Sequence, residues 1–273
     1  MRAAEWINVI FFAFLIALAW QRPLSPDRRA KITVLGLGVI ALFSSVQFLD
    51  RLVQPLPASV MRDWLPAPLF LVAYWTSGLF FTAPSGVLQN SLIRLDRRIL
   101  GRFEKYRPGA RVSSWMAAYF ELTYLLCYPL LPFGLGVLYI AHMARHADEF
   151  WAIVLPAAYL CNAALPFART IPPRMLTNGE PSILPPTRIR QLNLWILRHG
   201  SIHVNTFPSA HVATAFSVSL VLLCLLPPAG AVFMWISVSI AIGVVLGRYH
   251  YAADAVLGAA VAIAVFLAGM ILF

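Results

Sequence analysis

Charged residues are scarce in this chain: they make up 12% of its 273 residues, about half of the share usual in soluble domains. Lysine is nearly absent, since only Lys31 and Lys105 occur. Hydrophobic residues make up 60% of the sequence, which excludes a disordered chain and a coiled coil and disfavours an ordinary soluble domain. The composition predicts an integral membrane protein.

Cysteine is also scarce, and the three present lie in apolar stretches without a CxxC pair or Cys/His spacing: Cys127, Cys161 and Cys224. This pattern indicates neither a disulfide framework nor a zinc site. His142-x3-His146 and His199-x3-His203 have the spacing of paired metal ligands on a helix, but the predicted spans put the two pairs on opposite sides of the membrane. We therefore predict no metal and no cofactor.

Charge-free intervals occur along the whole chain, and a membrane span needs about 20 apolar residues. The interval 212–247 has room for two spans, and Pro227, Pro228 and Gly230 lie where a tight turn would divide it. We predict an all-α polytopic membrane protein with about eight spans, at 5–20, 32–49, 64–83, 114–140, 150–168, 209–226, 231–247 and 253–272. Although Ala17-Leu18-Ala19 has the pattern of a signal-peptide cleavage site, we expect the first helix to be retained.

Two long segments separate these spans. Residues 84–113 hold seven basic positions. Their apolar residues recur near helical spacing, at Leu88, Leu92, Leu95 and Ile99/Leu100. This spacing predicts an amphipathic helix in the headgroup layer. Residues 169–207 are rich in proline and arginine, and we interpret them as a loop.

The segment 205–211 precedes the sixth predicted span. Its Pro208 and Ser209 are typical helix-start residues. The N–H groups and the dipole of the helix that follows form an anion site, and His211 can reach the same anion to give or take a proton. An ordinary capped helix with an interfacial histidine is the alternative interpretation.

The segment 247–254 follows the seventh span. His250 and Asp254 are four residues apart, so they share one face of a helix. A carboxylate bonded to one imidazole nitrogen makes the other nitrogen a better nucleophile or base. Arg248 adds a cation. A salt-bridged cluster at the membrane interface is the alternative.

The segment 166–174 follows the fifth span, and its Arg169 and Arg174 can clamp a phosphate; flanking charges at a span end are the alternative. Alternation of the spans puts this segment on the same side of the membrane as His211 and His250. A transporter with charged residues at its gate would instead need ionisable residues near the midplane and paired broken helices, and only Glu121 lies near the midplane.

Two of these segments resemble motifs of the type 2 phosphatidic acid phosphatase superfamily, which also includes vanadium haloperoxidases. Pro208-Ser209-Ala210-His211 is similar to its P-S-G-H run, and His250-x3-Asp254 is similar to the end of its third motif. The first motif has no lysine here and its Arg174 follows two prolines, while Arg248 lies two residues before the histidine instead of six. Both departures resemble the branch of inositol phosphorylceramide synthases and their bacterial relatives.

The resemblance implies a six-helix catalytic core over 64–273, preceded by two additional transmembrane helices in 1–63. It implies a metal-free reaction in which His250, oriented by Asp254, attacks phosphorus while His211 protonates the leaving oxygen. The equatorial phosphate oxygens would be held by Arg174, Arg248, the N–H groups near Ser209 and, in place of the missing lysine, Arg169.

Two residues are candidates for contacting a lipid headgroup. Glu121 is a lone carboxylate within the fourth predicted span, where an ionisable group is functional by default; a structural pair with a neighbouring helix is the alternative. His203 lies just upstream of the second motif, although most loop histidines have no specific role.

The predicted function is a membrane-embedded lipid phosphatase that hydrolyses a lipid phosphate monoester or pyrophosphate through a phosphohistidine. A headgroup phosphotransferase, similar to inositol phosphorylceramide or sphingomyelin synthases, is the alternative, and a transporter is less favoured. The expected partners are a lipid phosphate substrate and membrane lipids, with no nucleic acid; a homodimer is left open.

The predicted location is the bacterial inner membrane, and the membrane side of the candidate site stays open. The loops 21–31 and 84–113 hold eleven basic residues on the side of the site, against four on the other side. The positive-inside rule then puts the site in the cytoplasm. The resemblance instead implies the outer face.

Overall fold

The computed structural model describes residues 1–46, 48, 54–106, 112–176 and 184–272. Twelve α-helices follow one another in these ranges: α1 (Ala3–Gln21), α2 (Pro26–Val46), α3 (Pro55–Trp64), α4 (Pro66–Gly78), α5 (Gly86–Tyr106), α6 (Ser114–Leu126), α7 (Leu130–Ile140), α8 (Ala147–Ala164), α9 (Arg188–Gly200), α10 (Ala210–Leu225), α11 (Pro227–Leu246) and α12 (Ala252–Leu272). Short 3-10 helices lie at Ala144–His146 and Pro173–Met175. An isolated bridge between Thr170 and Asn205 is the only β-pairing in the described ranges. The predicted all-α class is confirmed.

Four helices of the described residues are long and apolar enough to cross a membrane: α1, α2, α11 and α12. The pair α6 and α7 passes the same test only together, and it is bent by 72° at its break. Helix α10 is apolar but has only 16 residues, and α4 covers 13 residues of the predicted span 64–83. The chain is an integral membrane protein, and the predicted number of eight spans is not confirmed.

The predicted span 114–140 is two helices instead of one. Helix α6 ends at Leu126 and α7 begins at Leu130. Pro129 immediately precedes α7, and because proline has no N–H group and its ring obstructs the preceding turn, it does not continue a straight helix. The resulting bend brings Cys127 and Tyr128 to the wall of a cavity that also contacts α10.

The connection between α10 and α11 is a single residue, Leu226. The sequence predicted a turn at Pro227, Pro228 and Gly230, but the prolines occupy the first positions of α11, where a missing N–H group is harmless. Gly230 allows the two helices to approach closely, because a Cβ atom at position 230 would lie 2.3 Å from the backbone nitrogen of Leu223.

Helix α10 lies at the centre of the bundle and contacts α7, α8, α11 and α12. Helix α8 also contacts α1, α4 and α12, and the Tyr159 hydroxyl of α8 donates a hydrogen bond to Asn8 of α1 at 2.7 Å. Both side chains are buried. The first helix is therefore integrated with the bundle, and the division of the chain at residue 63 stays a prediction.

The end of the bundle at which α1 begins is closed by ion pairs. Glu5 of α1 pairs with Arg62 at 2.7 Å, and Arg2 pairs with Asp63. Asp148 accepts hydrogen bonds from the first two N–H groups of α1, each at 3.0 Å. The three carboxylates thus have cationic or N–H partners at this end.

Helix α5 is the amphipathic helix that the sequence predicted within residues 84–113. Leu92 and Leu100 of α5 are buried, whereas Leu95 is 42% exposed. The buried face also includes two polar side chains, Gln89 and Asp96. Residues 107–111 of this segment lie outside the described part of the chain.

The segment 169–207 is not a loop throughout, because it contains α9. The Thr187 side chain caps this helix by accepting the N–H group of Arg190 at 3.1 Å. Asn193 and Leu197, four residues apart, form its buried face. The prolines that suggested a loop lie before the helix.

Candidate active site

The three predicted catalytic side chains lie together at one end of the bundle. The Nδ1 atom of His250 is 3.3 Å from Oδ2 of Asp254, and Nε2 of His250 is 3.4 Å from Nδ1 of His211. A carboxylate, an imidazole and a second imidazole therefore form one chain of contacts. His250 is 5% exposed and Asp254 is fully buried, so these two side chains are shielded from solvent.

Asp254 is fixed in the first turn of α12. Its Oδ2 atom accepts hydrogen bonds from Asn205 Nδ2 at 2.7 Å and from the N–H group of Tyr251 at 3.0 Å. Asn205 also donates to the Thr170 hydroxyl at 3.0 Å. These bonds orient the carboxylate toward His250 and join all three predicted segments around it.

Ser209 links the start of α10 to α12. Its hydroxyl accepts the N–H group of Val212, as a helix cap does, and its own N–H group donates to the carbonyl oxygen of Asp254 at 3.0 Å. Gly258 of α12 allows this approach, because a Cβ atom there would lie 2.5 Å from the Ser209 carbonyl oxygen. The start of α10, predicted to bind phosphate, is thereby held beside His250.

Arg174, another predicted phosphate ligand, is bonded to the two residues that precede His250. Its N–H group donates to the carbonyl oxygen of Arg248 at 3.1 Å, and its guanidinium donates to that of Tyr249 at 3.3 Å. The fold thus brings the Pro-Pro-Arg segment to the two histidines.

Two other predicted phosphate ligands are bonded elsewhere. Arg248 pairs with Asp96 of α5 at 2.6 Å, and Arg169 donates to the Thr82 hydroxyl. Arg248 also has a left-handed backbone conformation, with φ of 62°. Contact of either arginine with phosphate stays a prediction.

Glu121 lies in a closed hydrogen-bond network. Its carboxylate accepts Arg190 at 2.7 Å, Asn193 at 2.7 Å and the Tyr249 hydroxyl at 2.6 Å. Burial and the nearby Glu121 carboxylate raise the pKa of Tyr249, so its hydroxyl stays protonated and donates. This arrangement matches the structural alternative for Glu121. His203 is exposed with φ of 56°, and a headgroup contact for either residue stays a prediction.

Three tyrosine rings surround His211. The ring centroids of Tyr74, Tyr124 and Tyr128 lie 6.2, 6.2 and 6.0 Å from that of the imidazole. No motif pointed to these tyrosines: Tyr124 and Tyr128 follow Glu121 within the same predicted span, and Tyr74 lies in an apolar run far from the motifs.

A cavity of about 400 Å³ extends from His211. Its walls come from α4, the bend between α6 and α7, the end of α9 and the start of α10. Apart from His211 and a few hydroxyl groups, the lining is mainly apolar, and it includes Phe70, Leu71, Trp75 and Leu131. Such a cavity suits an apolar chain attached to a polar group at the histidines.

The sequence profile of the PAP2 superfamily matches residues 90–268, about two thirds of the chain. The chain belongs to the PAP2 superfamily. No curated protein and no solved structure matches it. Membership of the PAP2 superfamily makes this protein a membrane enzyme of the phosphatase or phosphotransferase type that acts on phosphoric esters. The matched residues contain every predicted catalytic side chain, whereas Tyr74 and the rest of α4 precede them.

One histidine of each pair with metal-ligand spacing has another contact in the structure. His146 pairs with Glu149 at 2.8 Å, and His199 contacts the carbonyl oxygen of Trp195 at 2.8 Å. In the described part of the chain, no three His, Cys, Asp or Glu side chains are grouped closely enough to hold a metal ion.

Proposed function

We propose that this PAP2 enzyme is a lipid phosphatase that hydrolyses a lipid phosphate monoester or pyrophosphate through a phosphohistidine. The observation that carries the proposal is the position of the His211–His250–Asp254 relay at the end of a mainly apolar cavity. The cavity accommodates the hydrocarbon part of a lipid, and the relay supplies a nucleophile and a proton carrier for its phosphate.

In the first step, Nε2 of His250 attacks phosphorus, because its Nδ1 is directed to Asp254. A nitrogen–phosphorus bond forms and the bond from phosphorus to the ester oxygen breaks. His211, which is protonated when the anionic phosphate lies beside it, gives its proton to that leaving oxygen. The phosphate enters between the two rings, so their 3.4 Å contact must widen when substrate binds.

In the second step, water attacks the phosphohistidine and transfers a proton to His211. The nitrogen–phosphorus bond breaks, and its electron pair returns to His250. During both steps the equatorial oxygens lie toward Arg174 and the start of α10, where a cation and a helix N-terminus stabilise negative charge. An alcohol in place of water would give the phosphotransferase alternative.

The proposal is tested with purified protein in detergent, by measuring phosphate release from phosphatidic acid and other lipid phosphates of graded chain length. We expect release to rise with chain length until the cavity is filled, and His250→Ala and His211→Ala each to lower it at least about 100-fold. His146→Ala, at the opposite end of the bundle, is the matched histidine control and keeps wild-type activity.

Other outcomes identify the alternatives. Transfer of a phospho-headgroup to an added lipid alcohol, without free phosphate, identifies a phosphotransferase. If neither product forms, or if both active-site variants match the wild type, the catalytic proposal is wrong and the transporter is favoured.

A further inference from the structure

The buried face of α5 carries two polar residues that both point at the candidate site. Gln89 and Asp96 are seven residues apart, or about two helical turns, so they lie on one face. They are 6% and 4% exposed. Buried polar side chains in a helix with an otherwise charged outer face need partners, and these two find them in the loops that carry His250 and Arg174.

Asp96 contacts the chain on both sides of His250. Its Oδ2 atom binds the guanidinium of Arg248 at 2.6 Å, and its Oδ1 atom accepts the N–H group of Ala252 at 3.0 Å. His250 lies midway between those two residues. A single carboxylate therefore fixes the start of α12 and the residue at which the chain leaves α11.

Gln89 holds the segment that leads to Arg174. Its Oε1 atom accepts the N–H group of Ile171 at 2.9 Å, and its amide nitrogen contacts the Tyr251 hydroxyl. The same hydroxyl donates to the Ile171 carbonyl oxygen at 3.1 Å. The two loops of the site are thus tied to each other and to α5.

The conformation of Arg248 indicates why such a tie is needed. A φ of 62° is uncommon for a residue with a side chain, and it persists where the surroundings determine the backbone. Arg248 is 6% exposed, and the Asp96 carboxylate compensates its buried charge. Its carbonyl oxygen meanwhile accepts the N–H group of Arg174.

We propose that α5 positions His250 through Gln89 and Asp96, and that Arg248 acts through Asp96 as a positioning residue without contacting the phosphate. This inference depends on the proposed function in one respect, because it assumes that His250 is the reacting group. It departs from the resemblance, which implies a phosphate-binding role for the arginine of this motif.

A double-mutant cycle tests the pairing. We expect Asp96→Asn and Arg248→Gln each to lower kcat of phosphate release by about 10-fold to 100-fold, because a misplaced reacting group costs about this much. KM and inhibition by inorganic phosphate stay within twofold of the wild type. The double variant loses no more than the larger single loss, since both changes break one interaction.

Asp63→Asn is the matched control, because Asp63 is also a buried, ion-paired carboxylate but lies at the opposite end of the bundle. Its kcat stays near that of the wild type. Additive losses in the cycle would show that Arg248 acts independently of Asp96, and weaker inhibition by phosphate in Arg248→Gln would show that Arg248 binds phosphate. Either result would overturn the proposal. Equal losses in Asp96→Asn and Asp63→Asn would do the same.

A second readout is independent of activity. In protein with isotope-labelled histidine, the NMR signals of the His250 ring shift in Asp96→Asn and in Gln89→Met, but not in Asp63→Asn. If the wild type releases no phosphate, the proposed function is wrong. The NMR shifts of the His250 ring then still test whether α5 positions this residue. Unshifted signals in both α5 variants contradict it, and Gln89→Met keeps the test available if Asp96→Asn does not fold.

Discussion

At the scale of single residues, the site depends on how one carboxylate is bonded. Asp254 uses the same Oδ2 atom to contact His250, Asn205 and the N–H group of Tyr251. Two of these bonds serve to hold the carboxylate, and the third directs the imidazole. The carboxylate therefore favours the tautomer in which Nδ1 carries the proton, which leaves Nε2 available as the proposed nucleophile.

Asp254→Asn tests this division of roles. The amide keeps the size of the side chain but cannot accept as strongly from His250, and it favours the wrong tautomer. We expect kcat of phosphate release to fall by about 10³-fold to 10⁴-fold, by analogy with the carboxylate of a catalytic triad. The measurement is single-turnover phosphate release in detergent, together with the thermal unfolding midpoint.

Asp27→Asn, at the exposed start of α2, is the control and retains activity. A loss in Asp254→Asn of less than tenfold would contradict the role given to the carboxylate. A collapse of the unfolding midpoint together with activity would show that Asp254 matters mainly for folding.

At the scale of helices, the site depends on the contact between α10 and α12. Gly258 lies against the Ser209 carbonyl oxygen, and an added methyl group would be 2.5 Å from that atom. Gly258→Ala must therefore separate the two helices, and overpacking of this kind costs about 1–3 kcal/mol. We expect a lower unfolding midpoint and a loss of activity, because Ser209 also bonds to Asp254.

Gly38→Ala in α2 is the matched control, since a Cβ atom there meets nothing within 4 Å. The same substitution in open surroundings is neutral or slightly stabilising, because alanine favours a helix more than glycine does. If the two variants have equal midpoints and activities, the close contact does not limit the site.

Several features of the helices around the site were predictable from the sequence. The sequence predicted that His211, His250 and Asp254 lie close together, from the spacing of the last two and the helix-start signals before the first. The structure shows these contacts. The amphipathic period of residues 84–113 predicted α5, because a buried stripe leaves a local pattern. The contacts of that buried face with the site were not predictable, because nothing in the sequence distinguishes Asp96 from any other charged residue of a basic segment.

Other features depend on tertiary contacts that leave no local pattern. Tyr74 contacts His211 from an apolar helix that lies outside every motif. The prolines before α9 predict a loop instead of a helix. Composition alone predicts one continuous span through Pro129, where the structure has a bend. Composition records apolarity, and it does not record where a helix ends.

At the scale of the whole molecule, the two ends of the bundle differ in chemistry. One end has Glu5, Asp63 and Asp148 satisfied by cations or by helix N–H groups. The other end holds the histidine relay and Arg174. Arg28 of the α1–α2 connection also belongs to that end, where it donates to the Phe81 carbonyl oxygen at 2.6 Å. An anionic substrate is therefore expected at one end only.

This polarity predicts that two cysteines, introduced one at a time, label from opposite faces of the membrane. Arg145→Cys lies just before α8, and His199→Cys lies at the site end; both positions are exposed. Helix α8 has 18 residues and is about 27 Å long, close to the thickness of a bilayer core. A membrane-impermeant maleimide, used on intact cells of a Cys224→Ser background, should modify only one of them. Following the resemblance, we expect modification at position 199. Modification at position 145 alone would put the site in the cytoplasm, as the basic loops indicate. Modification at both positions would contradict the two-ended arrangement.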